Sequence, residues 1–243
     1  MPKISFIIPT LNEEKIIGKL LRNLREIKTI DYEIIVTDGK STDRTVEIAK
    51  SLADKVVENS SGQRQTIAQG RNEGAKAASG DFLCFLDADV YIPEPDRFFQ
   101  RALNHFKIDP KLLGLSGWVR VFPEMETWGD IFGYVILSDC VFYLSNNIFH
   151  HGSTCGEFQM MKTSIFSQLG GYREDLVTVE DKDLFYRISR HGHTRTDPKL
   201  VVYHTGRRPH TIGWPKMLWI WARNTVHFML FDRAHAKEWK EVR

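Results

Sequence analysis

An α/β fold with a mostly parallel central sheet flanked by helices is the class this sequence predicts, from three observations. Short apolar runs of strand length alternate with amphipathic helical patterns over roughly the first hundred residues. Each run ends in a break rich in Asp, Asn, Gly or Pro. The side chains with the most chemistry fall in those breaks, and open α/β sheets bind ligands past the carboxyl ends of their strands.

The elements follow in order. Ile4–Ile8 is a near-continuous apolar strand, ended by Pro9-Thr10-Leu11-Asn12. A helix from about Glu13 carries Ile16, Ile17, Leu20, Leu21 and Leu24 on one face. Glu33–Thr37 is a second strand, followed by Asp38-Gly39-Lys40-Ser41, with Ser41 expected to cap a helix ending near Ala53. Val56-Val57 is a short third strand, and Gln65 to Ala78 is an Ala-rich helix closed by Ser79-Gly80. Phe82–Leu86 is the fourth strand. Beyond it, Leu113–Phe122 reads as a strand, Trp128–Leu144 as an apolar helix and Phe158–Lys162 as a short strand. Gly170-Gly171-Tyr172 marks a turn after a short helix. Glu180–Arg190 is a helix, Val201–His204 a last strand, and a Trp-rich helix finishes the chain.

With 243 residues, 42% hydrophobic and 26% charged, the chain has the composition of an ordinary globular protein with ample core. A formal charge of +2 gives no ground for nucleic-acid binding. Its distribution is uneven: from His204 onward eight Lys and Arg face only Asp232, Glu238 and Glu241. A local basic excess suits a phosphate or a lipid surface. Cys84, Cys140 and Cys155 have no paired spacing, which argues against a disulfide framework or a zinc knuckle. The chain opens directly on a strand, so a reduced, cytoplasmic setting is expected. No uninterrupted apolar run reaches the roughly 18 residues that would span a bilayer. Met217 to Phe231 comes nearest, broken by Arg223, Asn224 and His227.

Asp87-Ala88-Asp89 carries the most information. Two carboxylates one residue apart at the end of a buried strand cost roughly several kcal/mol to desolvate unless a cation compensates them. Oxygen ligands of this kind suit Mg²⁺ or Mn²⁺, and Mg²⁺ commonly combines one or two carboxylates with substrate phosphates. Asn12, Asp38 and the Asp87/Asp89 pair fall at the ends of three different strands. Thr178-Val179-Glu180-Asp181 is the second site. One reading makes Thr178 a helix cap with Asp181 closing a capping box. The other turns Glu180 or Asp181 into the same cleft as a general base for an acceptor hydroxyl.

Five short motifs, in the right order, resemble family 2 glycosyltransferases. Ser5 to Glu14 resembles their first strand and loop, and Asp38-Gly39-Lys40-Ser41-Thr42-Asp43 their second loop. Gly70 to Ala75 with Ala78-Ser79-Gly80-Asp81, then Phe85-Leu86-Asp87-Ala88-Asp89, resemble the third helix, fourth strand and metal motif. Gly170-Gly171-Tyr172 with Glu180-Asp181 resembles their turn and catalytic pair. The likeness runs from about Lys3 to His204. It implies a GT-A fold over residues 1–210, with a nucleotide-sugar half at 1–110, an acceptor half at 111–210, and a basic amphipathic helix at 211–243.

Position by position, the resemblance implies that Pro9, Thr10, Asn12 and Glu13 line the base and ribose. Asp38 would accept a hydrogen bond from the base, Arg71 would steady the nucleotide, and Asp87 would hold ribose or sugar hydroxyls. Asp89 would bind the divalent ion, with His204 completing the metal or diphosphate site. Asp181, beside Glu180, would be the catalytic base. The donor would be a UDP- or GDP-sugar, displaced in line with inversion. The Gln-x-x-Arg-Trp motif of polymerising members is absent, with Arg207-Arg208-Pro209-His210 and Trp214 in its region. That favours addition of a single sugar. Gly156 and Gly152 are read as an acceptor-side loop. His150-His151 matches no zinc spacing, and Trp118 is a candidate sugar-stacking residue.

Trp and basic residues on the final helix suit a membrane–water interface and a lipid-linked or polyprenyl-phosphate acceptor, with packing on the body or a homodimer contact as the alternatives. A nucleotidyltransferase would want a glycine-rich loop after the first strand, and Pro9-Thr10-Leu11-Asn12 has none. No Gly-x-Gly-x-x-Gly supports a dehydrogenase. A non-catalytic sugar-nucleotide binder would have little use for Asp87, Asp89 and Asp181 together.

Overall fold

A computed structural model describes residues 2–60 and 64–233, with backbone alone for residues 136–138. Seven strands form one sheet: β1 (Lys3–Thr10), β2 (Asp31–Asp38), β3 (Lys55–Glu58), β4 (Phe82–Leu86), β5 (Leu112–Val121), β6 (Phe158–Lys162) and β7 (His193–His204), in the order β3-β2-β1-β4-β6-β5-β7. The first four pair in parallel. β6 runs antiparallel to both its neighbours, and β5 pairs with β7 in parallel. In register, Thr10 stands opposite Asp38, so β1 and β2 end level with one another.

Side-chain alternation sets the two faces of the sheet. Ile4, Phe6 and Ile8 enter one apolar cluster and Ile7 the other, as period two requires. Helix α1 (Ile17–Leu24) buries Ile17, Leu20, Leu21 and Leu24 completely against the first cluster. It begins later than expected because Glu13–Ile16 is a turn, in which the amides of Ile16 and Ile17 both reach the Glu13 carbonyl. Helix α2 (Thr45–Leu52) also starts late. The expected cap, Ser41, instead accepts the Asn12 amide at 2.7 Å, joining the loops after β1 and β2.

Helix α3 (Ile67–Ala77) opens on a capping box, with Thr66 accepting from the Gln69 amide and Gln69 returning the bond to the Thr66 amide. It lies close on β1: a methyl group at Gly74 would stand 2.4 Å from the Ile7 side chain. Helix α4 (Pro95–Ile108) has Pro at its start and Phe98, Phe99, Ala102 and Phe106 facing the core. The pattern was in the sequence but was not assigned to a helix.

Helix α5 (Trp128–Ile148) is wound with π-type turns over Ile131–Asp139 and Leu144–Ile148. It is long and apolar enough to cross a membrane, a test that core helices also pass. A search for uninterrupted apolar runs passes over it because Asp130 and Asp139 break the run. One face of α5 is held to the domain: Asp139 takes Arg120 at 2.8 Å and the Val119 amide at 3.3 Å. Burial pushes the Asp139 carboxyl up to about 7, against the pull of those two partners.

Helices α6 (Thr163–Gln168) and α7 (Glu180–Ser189) follow. β7 is longer than Val201–His204, its register shifting near Pro198. The final segment divides at Gly213, φ 87°, into α8 (Arg207–Ile212) and α9 (Trp214–Phe231). The last part of the expected 211–243 helix, residues 234–243, lies outside the described residues.

Candidate active site

Beyond the carboxyl ends of β1, β4 and β7 lies a cavity of about 360 Å³. It gathers side chains from segments distant in sequence. Pro9, Thr10 and Glu13 come from the end of β1 and its loop, Arg71 from α3, and Asp87 and Asp89 from the segment after β4. Gly156 and Glu157 precede β6, Glu180 and Asp181 open α7, His204 ends β7, and Arg207 and Arg208 follow it.

Arg71 is the hub. It is 1% exposed; Nη2 donates to Asp87 Oδ1 at 3.0 Å and to the Gly156 carbonyl at 3.2 Å, and Nη1 donates to Glu180 Oε1 at 3.1 Å. Its guanidinium lies over the Tyr172 ring, 5.3 Å from the centroid. Burial works against its charge, but Tyr172, Asp87, Glu180 and Asp181 together hold its pKa above the ordinary value. Gly156 is required for this approach, since a methyl group there would meet Nη2 at 2.8 Å. One cation is thus shared by carboxylates from two elements.

The carboxylates outnumber it. Burial, then the neighbouring Asp181 charge, pushes Glu180 up to about 8 despite Arg71. Burial and the Asp87 charge push Glu157 up to about 7. Asp87 and Asp181 are also raised, burial being the main cause for each. Asp87 is not sealed: 36% of its side chain is open to the cavity. Asp89 accepts the Thr205 hydroxyl at 2.6 Å and faces Arg207 Nε at 3.4 Å, while Arg207 also grips Glu13 at 3.1 and 3.2 Å. Burial depresses the His204 pKa, so its ring is held neutral.

Unmade hydrogen bonds concentrate here. Among the described residues, eight buried side chains have a polar atom without a partner, and five of them (Thr37, Arg71, Thr178, His204 and Asn224) line this cavity. An unsatisfied buried group costs about 1–3 kcal/mol, so the cavity is shaped for a polar ligand. A divalent cation fits. The raised carboxyls would be relieved by positive charge, and the free His204 Nε2 and the Asp89 carboxylate offer it nitrogen and oxygen. Among the described residues no three such side chains form a cage alone. That suits an ion completed by phosphate oxygens.

The helix opening that presents Glu180 and Asp181 differs from the expected cap. Val179 is the N-cap, at φ 64°, and the Thr178 hydroxyl is left without a partner. A β-branched residue in the left-handed region is strained, and such strain clusters at functional sites. It turns both carboxylates into the cavity.

Three expected site residues lie elsewhere. Asn12, at φ 55°, accepts the Thr42 amide at 2.7 Å and ties two loops together. Asp38 is 3% exposed and receives the amides of Lys40 and Ser41 at 3.0 and 2.8 Å, so it closes its own turn while Thr37 and Gly39 reach the cavity. Trp118 sits in β5 beneath Arg120, whose guanidinium is 5.0 Å from its ring centroid, away from the cavity lining. The sequence reading missed Glu157, Tyr134, Met217, Trp221 and Asn224, which also line it. Only Glu157 carried a signal, being next to Gly156.

The model of the family described as "Glycosyl transferase family 2" matches residues 5–170. Among curated proteins, a dolichyl N-acetyl-α-D-glucosaminyl phosphate 3-β-D-2,3-diacetamido-2,3-dideoxy-β-D-glucuronosyltransferase of Methanococcus voltae is 37% identical over 131 residues, covering 50% of this chain and 40% of that protein. The poly-β-1,6-N-acetyl-D-glucosamine synthase of Staphylococcus aureus strain COL is 27% identical over 198 residues, 78% of this chain and 46% of the synthase. The chain therefore spans less than half the length of either relative. In solved structures the fold recurs in the mannosyltransferase PcManGT of Pyrobaculum calidifontis with GDP-Man and Mn²⁺, at TM-score 0.68 and 22% identity over 92% of this chain and 61% of that one. It recurs too in residues 1–349 of S. aureus TarS with UDP-GlcNAc, at TM-score 0.64 and 20% identity over 83% and 58%.

Proposed function

The chain belongs to glycosyl transferase family 2, and from that premise we propose that it moves one sugar from a UDP- or GDP-linked donor to an acceptor hydroxyl, with inversion. The observation that carries this is the convergence of Asp87, Asp89, Glu180 and Asp181 on one cavity around the buried Arg71. The donors in the two solved structures named above, GDP-Man and UDP-GlcNAc, support a nucleotide sugar of this kind.

Each residue then has a task. Pro9, Thr10 and Glu13 border the nucleoside, with Thr37 and Gly39 nearby. Asp87 accepts sugar or ribose hydroxyls, and Arg71 fixes its orientation. Asp89 and His204 are the residues that would hold Mg²⁺ or Mn²⁺, which when bound offsets the negative charge of the departing diphosphate. Asp181 takes the proton of the acceptor hydroxyl, and its raised pKa makes it a stronger base than an ordinary aspartate. The acceptor oxygen forms a bond to the anomeric carbon as the bond to the diphosphate breaks. That electron pair leaves on the phosphate oxygen. Attack from the opposite face inverts the anomeric centre, and one sugar is added per event.

A lipid-linked acceptor completes the proposal, supported by the acceptor in the M. voltae enzyme's name. Trp128, Phe132, Leu144 and Ile148 on α5 are exposed at helical spacing, and Trp219, Val226 and Leu230 are exposed on α9 near Lys216 and Arg223. Aromatic and basic side chains together suit a membrane surface, here assigned to the cytoplasmic side. Three free cysteines accord with that setting. The test is transfer from radiolabelled nucleotide sugars to membrane extracts. Label should enter the lipid phase with the wild-type chain and fail to do so with Asp181→Asn, which still binds nucleotide. Nucleotide binding without any product from the wild-type chain would instead mark a binder.

A further inference from the structure

The cavity continues past the carboxylates to the inner face of α9, where Met217, Trp221 and Asn224 recur at helical spacing. This wall is firmly seated. Trp214 Nε1 donates to Asp130 at 3.0 Å, and its ring fills a notch over Gly129 and Gly133, where a methyl group on Gly133 would come within 1.9 Å. Tyr134 meets Trp214 and Trp221 edge to face, at 5.0 and 6.2 Å between centroids. From α7, Lys182 Nζ donates to the Thr225 hydroxyl at 3.1 Å. The inner face of α9 is therefore fixed relative to Asp181, the residue before Lys182.

Two polar atoms in this part of the cavity have no partner. Asn224 is 3% exposed and Thr178 5%, and neither Asn224 Oδ1 nor Thr178 Oγ1 has a hydrogen-bond partner. The same cavity is lined by the aromatic side chains of Tyr134, Phe142 and Trp221. A few placed polar groups on an apolar wall define orientation in a ligand site. Aromatic faces next to unmet hydrogen-bonding groups suit a molecule that is apolar on its ring faces and hydroxylated around its edge. A bare phosphate has no such faces.

We infer that α9 carries the acceptor subsite, in which Trp221 receives the face of an acceptor sugar ring while Asn224 and Thr178 bind its hydroxyls beside Asp181. This rests on the transferase reading above and narrows its acceptor to a glycoside. Octyl β-D-glucopyranoside and octyl β-D-N-acetylglucosaminide, each below its micellar concentration, are titrated calorimetrically into the full chain with Mn²⁺ and UDP, and octyl phosphate serves as the phosphate probe. The wild-type chain should bind at least one glycoside saturably. Asn224→Leu and Trp221→Leu should each weaken that binding by about tenfold or more, as loss of an anchoring contact does, with UDP and GDP binding changed by less than about twofold. Because Asn224 Oδ1 has no partner in the protein, Asn224→Leu should also raise the Tm of the free chain by about 2–4 °C. A structural asparagine would give a fall. A wild-type chain that binds nucleotide but neither glycoside, glycoside binding that survives both substitutions, a lowered Tm for Asn224→Leu, or saturable binding of octyl phosphate alone would overturn the assignment. Failure of the wild-type chain to bind either UDP or GDP would instead overturn the transferase reading beneath it.

Discussion

The two halves of the molecule hold their chemistry in different ways. In the first, loop polar groups are spent on one another: Asn12 on Thr42, Ser41 on the Asn12 amide, and Asp38 on its own turn. At the cavity, Thr178, His204 and Asn224 of the second half keep buried polar atoms without partners, against Thr37 and Arg71 in the first. The first half is a frame whose loops after β1 and β2 are tied to one another. The second bears the larger share of the unmade bonds, which a bound ligand can recover. The proposed transfer uses both, since a nucleotide would be held still while an acceptor is selected.

The sharpest way to break this comparison is at the cavity the two halves share. Asp181→Asn keeps the shape of α7 but removes the proposed base, so turnover should fall by roughly 10²–10⁴-fold with nucleotide affinity left within about threefold. Initial rates and equilibrium dialysis check it. Arg71→Met should come next. It leaves Asp87 and Glu180 without their cation, and breaking a buried pair costs about 3–5 kcal/mol. Urea unfolding should show that loss, with a partial recovery when Mn²⁺ and nucleotide are added. A smaller effect is expected from Gly133→Ala, whose methyl group would collide with the Trp214 ring. Overpacking costs about 1–3 kcal/mol, and limited proteolysis should then cut within α9 before the sheet is attacked.

Much of the frame was legible in the sequence. β4 and β6 were read to their observed bounds, because a run buried on both sides leaves no ambiguity of period. Asp87, Asp89, Glu180 and Asp181 were read into one cleft, and all four line the cavity, because their spacing in sequence is also their spacing at a strand end and a helix start. Asp38 and Asn12 misled for one reason: a short polar side chain in a loop serves the backbone as readily as a ligand. Asn224 was invisible. It gains meaning only when α9 folds back through Trp214 onto Gly129 and Gly133, a contact that no local pattern encodes. The long β7 was shortened in the reading because Asp197-Pro198 interrupts it.

A further expected effect is on pH. Burial pushes Glu180 up to about 8 and Glu157 and Asp139 up to about 7, whereas unfolded carboxyls titrate near about 4. The folded chain therefore binds these protons more tightly than the unfolded chain does. Stability should be fullest below the unfolded range and decline as pH rises toward 7 to 8. Glu33 works in the opposite direction. Burial would raise it, but Lys55, Ser5 and Ser79 hold it at about 2, so its contribution is present above the unfolded range and lost as pH falls toward 2. A Tm profile should thus fall on both sides. Mn²⁺ with nucleotide should flatten the alkaline side only, since Glu33 lies at the far end of β2.

Calorimetric titration of UDP and GDP, with and without Mn²⁺, into the wild-type chain, Asp89→Asn and Asp181→Asn tests the shared cavity most directly. The expected result is one nucleotide per chain, bound only with the cation, weakened about tenfold or more by Asp89→Asn and left within about threefold by Asp181→Asn. Binding that ignores both the cation and Asp89 would contradict it.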